Sequence, residues 1–385
     1  MPGATWSRML VPAACGSLAL VAALLALLPA LRPVGWDLTA LPRVADNTGM
    51  GTAAQAKDPG FHTVHIGAYD GQFYWGIAVD PIATGDVHQV FDTASYRYGH
   101  PLLGWLGWLF SAGQARAAPA ALLGAGLVSL VAAAVGASLL GQAFGRRGWE
   151  GLFVAANPGL LYASVHDLAE PLSAALLLGG LLLYVRDRRV AAAVCFGLLV
   201  LSKEQFVLVP LALAAWEIVR ARLRGGFRNA VVLVSAIVPA VGWWIYARLQ
   251  LGAWFTSGTT ALAFPLSGWR RSLLDAGIGT YSPDGALNIS EEATLVIVAG
   301  LLVLFAVAGV LALRLRSPTD VVYVAIGIVV ACLAPNATTL LRDAIRNTSV
   351  LLTLVPFVIA SLPLSPMWTA LRGARSSTAP PPSPT

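Results

Sequence analysis

Residues 69–75 read Tyr69-Asp70-Gly71-Gln72-Phe73-Tyr74-Trp75, and they are followed by Ile77-Ala78-Val79-Asp80-Pro81. This stretch lies in the longest region that cannot be a membrane span, roughly residues 35–100, directly after the first apolar segment. Almost everything after that region reads as hydrophobic helix. A carboxylate among aromatic side chains is unusual in so apolar a chain. We therefore interpret the stretch as a candidate catalytic loop, with the helices as its scaffold.

The composition points to a bilayer as the solvent. Hydrophobic residues make up 57% of the 385, charged residues make up 11%, and the mean hydropathy is +0.71. A soluble domain carries about 25% charged residues. Apolar runs of about 20 residues can each cross about 30 Å of hydrocarbon as a helix, and such runs recur here. The sequence therefore predicts an all-α, polytopic transmembrane protein with membrane lipids as partners.

About ten apolar segments are candidate membrane spans. They lie near residues 10–31, 119–143, 150–165, 169–185, 190–202, 205–220, 229–249, 292–313, 319–335 and 348–365. Residues 101–115 are apolar but short, so we place them as an interfacial helix. Residues 1–365 then form one transmembrane domain, in which 35–115 is a long extracytoplasmic loop with interfacial helices. Residues 366–385, rich in Pro and Ser, are predicted to be a disordered cytoplasmic tail.

Arginines set the orientation of these spans. With a cytoplasmic N-terminus, every short arginine cluster between spans lies inside, as the positive-inside rule requires. Counting 101–115 as a full span would move Arg146, Arg147 and all later clusters outside, so we exclude that arrangement. The prediction is a multi-pass protein of the cell inner or plasma membrane. The net charge of +6 is then a topology signal and does not indicate a nucleic-acid partner.

Asp70 is the leading catalytic candidate, as a general base. Aromatic neighbours at a membrane surface are expected to desolvate its carboxylate partly and raise its pKa, which makes a better base. A helix over 69–79 would place Asp70 on one face with Phe73 and Ile77. The alternative is an aspartate that caps this helix, with the aromatics as interface anchors. Three neighbours join Asp70 as candidate substrate-binding residues: Tyr69, Gln72 and Tyr74.

Further polar groups converge on the outer face, although the topology argument does not use them. Guanidinium forks suit phosphate oxygens, and ionisable groups beside lipid are costly unless they line an aqueous cavity. The candidate substrate-binding residues in these groups are Arg97, His100, His166, Asp167, Glu170, Lys203, Glu204, Arg342 and Arg346.

Each group also has a purely structural interpretation. Arg97 could snorkel to the headgroups, and residues 166–171 could form a structural hairpin. Lys203 and Glu204 could neutralise each other, and Asp343 could pair with Arg346.

Other acids of the first loop are weaker candidates. Asp80 is about 15 Å from Asp70 along a helical path, too far for a direct pair. Asp86, His88 and Asp92 are interpreted as ordinary loop polarity, with a metal role left open. The chain has no Walker A, G-x-G-x-x-G, H-E-x-x-H or G-x-S-x-G motif, which excludes ATP hydrolysis, dinucleotide chemistry and the zincin and hydrolase classes.

Together these residues resemble the GT-C superfamily of polyprenyl-phosphate-sugar-dependent glycosyltransferases. Residues 69–78 resemble the Asp-containing first-loop motif of its bacterial members and the aspartate-aromatic-Ile-Ala pattern of the mannosyltransferase (PIG-V) branch. Residues 157–171 are similar to a family span that ends in a polar outer turn. Leu201-Ser202-Lys203-Glu204 looks like the turn where relatives often carry Thr-Arg-Glu, and residues 342–356 resemble their closing Arg…Pro-Phe span.

The resemblance implies a bacterial cell-envelope enzyme that transfers a hexose or pentose on the extracytoplasmic face. The donor would be a polyprenyl-phosphate sugar and the acceptor a glycan, lipid or protein. Asp70 would accept the proton of the acceptor hydroxyl in an inverting displacement, and nearby arginines or a lysine would stabilise the departing phosphate. No cofactor is established by the resemblance, and a divalent cation, Mg or Mn, is left open. Two rivals remain: a transporter or flippase of a lipid-linked substrate, and a non-catalytic envelope-assembly subunit.

Overall fold

The part of the chain that the structure describes folds mostly into α-helices, which confirms the predicted helical class. A computed structural model describes residues 3–220, 226–257, 261–274 and 291–360. The helices up to residue 185 are α1 (Gly3–Leu31), α2 (Gly49–Lys57), α3 (Gly71–Val79), α4 (Ala94–Arg97), α5 (Leu102–Ser111), α6 (Ala118–Ala143), α7 (Gly151–Ala155), α8 (Pro158–Val165) and α9 (Glu170–Val185). Those that follow are α10 (Arg189–Ser202), α11 (Leu208–Arg220), α12 (Gly226–Ser235), α13 (Val238–Leu251), α14 (Ser267–Leu274), α15 (Glu291–Ala312), α16 (Pro318–Ala331), α17 (Leu341–Leu352) and α18 (Val355–Ile359). The short strands β1 (Val44–Ala45) and β2 (Thr63–Val64) pair in parallel, with Val44 opposite Thr63.

Several helices have the length and composition of membrane spans. In the described residues, four segments are long and apolar enough to cross a bilayer: Met9–Val34, Ala118–Ala143, Gly226–Leu251 and Glu292–Ala312. Shorter apolar helices are Leu102–Ser111, Glu170–Val185, Arg189–Ser202 and Pro318–Ala331. The total of about ten crossings therefore stays a prediction. The predicted tail, 366–385, and the end of the last predicted span lie outside the described residues.

Helix α6 lies inside the bundle, in contact with α1, α5, α7 and α9. Its alanines Ala133, Ala134 and Ala137 are fully buried. Small side chains let helix backbones approach closely, and this is the common way for helices to pack in a membrane.

The predicted span at 150–165 is broken in two. Pro158 begins α8, and Asn157 before it has an extended backbone (φ −74°, ψ 108°), as expected for a residue that precedes proline. The Asn157 side chain accepts hydrogen bonds from the amides of Gly159 and Leu160 at 3.1 and 3.2 Å. It also donates to the carbonyl of Ser349 at 2.9 Å. The break therefore joins α8 to α17.

Helix α5 packs closely on α3. A Cβ atom at Gly104 would lie 2.4 Å from Cγ2 of Ile77, so only glycine fits there. Gly107, one turn on, meets Ala78 and Leu122 in the same way. These two glycines let the short apolar helix lie against the helix that begins beside Asp70.

Helix α13 holds the loop between α3 and α5. The indole nitrogens of Trp243 and Trp244 donate to the carbonyls of Tyr98 and Gly99 at 2.6 and 2.9 Å. At the start of the same loop, Asp80 accepts from the amide of Gly85 at 2.9 Å and contacts Nδ1 of His88 at 2.7 Å. Asp80 is therefore a structural loop residue in this fold.

Candidate active site

Asp70 immediately precedes α3, at the N-cap position. Its side chain makes no capping hydrogen bond. The first turn of α3 instead packs against another segment, because a Cβ atom at Gly71 would lie 2.3 Å from the carbonyl oxygen of His166. The interpretation of Asp70 as a helix cap therefore does not fit this geometry.

Two arginines bind the Asp70 carboxylate, one at each oxygen. Nη1 of Arg97, at the end of α4, lies 3.0 Å from Oδ1, and Nη1 of Arg346, on α17, lies 2.7 Å from Oδ2. The Arg97 guanidinium also lies over the Phe73 ring, 3.8 Å from its centroid. One carboxylate thus joins the first loop to the last described part of the bundle.

Each of these arginines contacts a second acid. Arg97 donates from Nε and Nη2 to the two carboxylate oxygens of Asp92, at 3.1 and 2.8 Å. Nε of Arg346 lies 3.4 Å from Oε1 of Glu170, the same oxygen that contacts Nζ of Lys203 at 2.6 Å. The result is a continuous chain of alternating charges.

These groups line a cavity of about 370 Å³. Five acids and three basic residues contribute to its wall: Asp70, Asp92, Glu170, Glu204 and Asp343, with Arg97, Lys203 and Arg346. His100 also lines it, and its Nδ1 lies 2.9 Å from Oε2 of Glu204. A volume of this size is typical of small-molecule sites.

The structure brings most of the predicted site residues into this one cavity. Those that line it are Asp70, Tyr69, Tyr74, Arg97, His100, Glu170, Lys203, Glu204 and Arg346. They come from α3, α4, α9 and α17 and from the connections around them, which are far apart in sequence.

Four predicted residues, Gln72, His166, Asp167 and Arg342, are not among those that line the cavity. Gln72 accepts from the amide of Ala45 at 3.4 Å, and so ties α3 to β1. His166 stacks on Tyr162 at 4.1 Å between ring centroids. Asp167 is buried with a left-handed backbone (φ 52°), and Arg342 lies over the Tyr69 ring at 4.7 Å.

The neighbours of Asp70 decide its charge state. Burial favours the neutral acid, but the positive charges of Arg346 and Arg97 outweigh burial and hold the pKa of Asp70 well below its usual range. The expected rise in this pKa was therefore wrong. For Asp343 the balance is reversed: burial raises its pKa against the pull of Arg346, and its carboxyl accepts a hydrogen bond from the Tyr69 hydroxyl.

The prediction missed some residues of the cavity wall. Asp92 was interpreted as loop polarity, and Tyr96 and Thr93 were not considered, yet all three line the cavity. An acid five residues before Arg97 was the available signal for Asp92. As for metals, the described part of the chain holds no group of three or more His, Cys, Asp or Glu side chains arranged to bind one.

The fold is similar to that of ArnT from Cupriavidus metallidurans in a crystal structure bound to undecaprenyl phosphate. The TM-score is 0.52, with 16% sequence identity, over 93% of this chain and 62% of ArnT. The chain thus spans about three fifths of ArnT's length. The likeness shows that the chain has an ArnT-like fold, while the GT-C superfamily and its mannosyltransferase (PIG-V) branch stay predictions. No family model matches the chain, and no curated protein matches it.

Proposed function

We propose that the protein is a membrane glycosyltransferase that moves a sugar from a polyprenyl-phosphate donor to a cell-envelope acceptor. The observation that carries this proposal is the cavity around Asp70, where an acid lies between two arginines in an ArnT-like fold. ArnT itself is bound to undecaprenyl phosphate. By analogy the donor of this protein is a sugar on a polyprenyl phosphate, and a hexose or pentose remains the proposed sugar class.

Arg97, Arg346 and Lys203 are the groups proposed to hold the donor phosphate. Planar guanidinium forks match phosphate oxygens, and an ammonium adds a point charge. All three lie on the wall of a cavity and are mostly shielded from solvent, with side-chain exposures of 16, 11 and 15%. Charge interactions are stronger in such a site than at an open surface.

The proposed reaction is a single displacement. The acceptor hydroxyl oxygen bonds to the anomeric carbon, and its proton passes to Asp70. The bond between that carbon and the phosphate oxygen breaks, and its electron pair leaves with the lipid phosphate. Positive charge placed where the phosphate gains charge lowers the barrier, and the anomeric configuration inverts.

His100 and Glu204 are proposed to meet the sugar or the acceptor. Their contact at 2.9 Å lies on the cavity wall, with Tyr74 and Tyr96 against the imidazole at 6.0 and 5.3 Å between ring centroids. Aromatic faces and paired polar groups suit a sugar ring, which has both apolar and hydroxyl surfaces. From the distribution of arginines between the spans, we also propose an inner-membrane protein with this cavity on the extracytoplasmic face.

Reconstitution in proteoliposomes tests the proposal. The purified protein is supplied with a panel of polyprenyl-phosphate sugars, including mannose, glucose and a pentose, and with envelope extracts as acceptors. Release of the lipid phosphate together with a glycosylated or free sugar is the expected result. Movement of the intact donor across the bilayer without cleavage would instead support a transporter. Donor that is neither cleaved nor moved would contradict both functions.

A further inference from the structure

Asp70 and a phosphate would need the same hydrogen-bond donors. Both carboxylate oxygens of Asp70 are bound by Nη1 atoms, at 3.0 Å from Arg97 and at 2.7 Å from Arg346. These are the groups that a bidentate phosphate contact uses. A carboxylate paired in this way is also a weak base, because proton uptake would cost it both ion pairs.

The two arginines do not depend on Asp70 for their position. Arg97 is held by two contacts with Asp92 and by the Phe73 ring. Arg346 is held by Glu170 at 3.4 Å and by the Tyr69 ring at 4.9 Å. If Asp70 is displaced, both guanidinium groups therefore keep a second acid and an aromatic face, and so stay in place.

We propose, on the basis of the proposed function, that Asp70 and the donor phosphate occupy the two guanidinium groups in turn, with Asp92 and Glu170 as the positioning residues. The arriving phosphate displaces the Asp70 carboxylate from Arg97 and Arg346. Asp70 then loses its two ion pairs and gains a negative neighbour, and both changes strengthen it as a base. The low pKa of Asp70 in this structure corresponds to the state before the donor binds, in which both arginines hold the carboxylate.

The exchange gives the reaction an order. The base becomes strong only in the donor complex, so an acceptor that arrives first is not deprotonated. After transfer the protonated Asp70 must lose its proton before it can return to the arginines. That return expels the lipid phosphate, so the same competition that delays donor binding assists product release.

Binding of undecaprenyl phosphate to the full-length protein in nanodiscs tests the exchange. Because Asp70→Asn removes the competing charge but keeps the side-chain shape, it should bind this lipid at least about tenfold more tightly than the wild type, a change of about 1.4 kcal/mol. Asp86→Asn is the matched control: it removes one negative charge from the same loop, but its side chain is exposed and its contact is with Lys57 at 2.9 Å, away from the cavity. Its affinity should stay within about twofold of the wild type. Asp92→Asn should bind more weakly, because Arg97 loses its second acid.

Unchanged or weaker binding by Asp70→Asn, with wild-type binding intact, would overturn the exchange but leave the proposed function standing. Equal tightening by Asp86→Asn would also overturn it, since the effect would then be one of overall charge. Absence of wild-type binding would contradict the proposed donor class and this inference with it. Binding of undecaprenyl phosphate by Asp70→Ser is measured in parallel, as a second variant without the carboxylate. Thermal unfolding identifies any variant that does not fold.

Discussion

Arg342 and Arg346 are chemically alike and lie about one turn apart on α17, yet they differ in what they contact. Both guanidinium groups lie over the Tyr69 ring, at 4.7 and 4.9 Å from its centroid. Only Arg346 reaches the Asp70 carboxylate and lines the cavity. Arg342 instead contacts Asp343, with Nε 3.8 Å from Oδ2. Matched substitutions at the two positions therefore test whether an arginine must reach the cavity to support the reaction.

We expect Arg346→Lys to lower kcat/KM for sugar transfer about 100-fold, because an ammonium lacks the planar guanidinium fork that binds a phosphate bidentately. Arg342→Lys should lower it less than about threefold, since a cation beside the Tyr69 ring is retained. Steady-state transfer kinetics of both variants provide the measurement. Equal losses in the two variants would contradict the role given to Arg346.

His166 provides a test based on pH. Burial, aided by the charges of Arg43 and Arg342, lowers its pKa to about 4. An unfolded histidine takes up a proton below about pH 6.5, whereas this one stays neutral to about pH 4, so protons favour the unfolded state between those values. The free energy of unfolding should therefore decrease as the pH is lowered through this window, by roughly 2 kcal/mol between pH 7 and pH 5.

The measurement is thermal unfolding of the wild type and His166→Gln at pH 7 and pH 5. The variant should lose clearly less stability than the wild type over this interval, because it lacks the titrating group. A wild-type melting temperature that is unchanged between the two pH values would contradict the buried, neutral state of His166.

The local sequence singled out Asp70, Arg97 and Arg346 as candidate site residues, but it did not predict that both arginines contact the Asp70 carboxylate. Aromatic neighbours and position in the chain singled out Asp70, yet Arg97 lies 27 residues away and Arg346 lies 276 residues away. Contacts at such separations depend on helix packing, which one sequence does not reveal. The expected rise in pKa failed for this reason: desolvation was visible in the sequence, but the two compensating charges were not.

At the scale of elements, the contact of α3 with α5 controls where Asp70 lies. Gly104 makes the closest approach, with a virtual Cβ 2.4 Å from Ile77 and 3.2 Å from the Tyr74 carbonyl. Gly124, in α6, is also helical but exposed, and a Cβ there would meet nothing within 4 Å. Alanine should therefore have opposite effects at these two positions.

Gly104→Ala should lower the free energy of unfolding by about 1–3 kcal/mol through overpacking. Gly124→Ala should leave it unchanged or raise it by up to about 1 kcal/mol, because alanine is the better helix former. Thermal unfolding of the detergent-purified variants measures both. A melting temperature of Gly104→Ala no lower than that of Gly124→Ala would contradict the close packing of α3 on α5.

The hydropathy pattern predicted where the helices lie better than it predicted where they end or break. Helix α6, at Ala118–Ala143, matches the predicted span 119–143 closely, because an uninterrupted apolar run leaves little choice. The predicted span 150–165 instead divides at Asn157, whose amide side chain has partners on both α8 and α17. An Asn-Pro pair is a visible signal for such a break, but its partner on α17 is visible only in the fold.

At the scale of the whole molecule, polar turns separated by apolar helices meet in one cavity. Lys203 follows α10, Glu170 begins α9 and Arg346 lies on α17, yet all three line it. The arginine distribution predicts that this side of the bundle is extracytoplasmic. The same argument places Gln55, in the first loop, outside and Arg188, between α9 and α10, inside.

Cysteine labelling in intact cells tests this orientation. Gln55 and Arg188 are both exposed, so a cysteine at either position is open to reagents on its side of the membrane. A membrane-impermeant maleimide should label Gln55→Cys directly and Arg188→Cys only after the membrane is permeabilised. The wild type, with its three native cysteines, gives the background. The reverse pattern would place the cavity in the cytoplasm and contradict the predicted topology.

Turnover of a polyprenyl-phosphate sugar by the wild type, beside Asp70→Asn, is the most direct test of Asp70 as the general base. Removal of a general base typically costs 10²- to 10⁴-fold in rate. We expect the wild type to cleave the donor and Asp70→Asn to be at least about 100-fold slower while it still binds undecaprenyl phosphate. Donor turnover by Asp70→Asn at the wild-type rate would contradict the role of Asp70 as the general base.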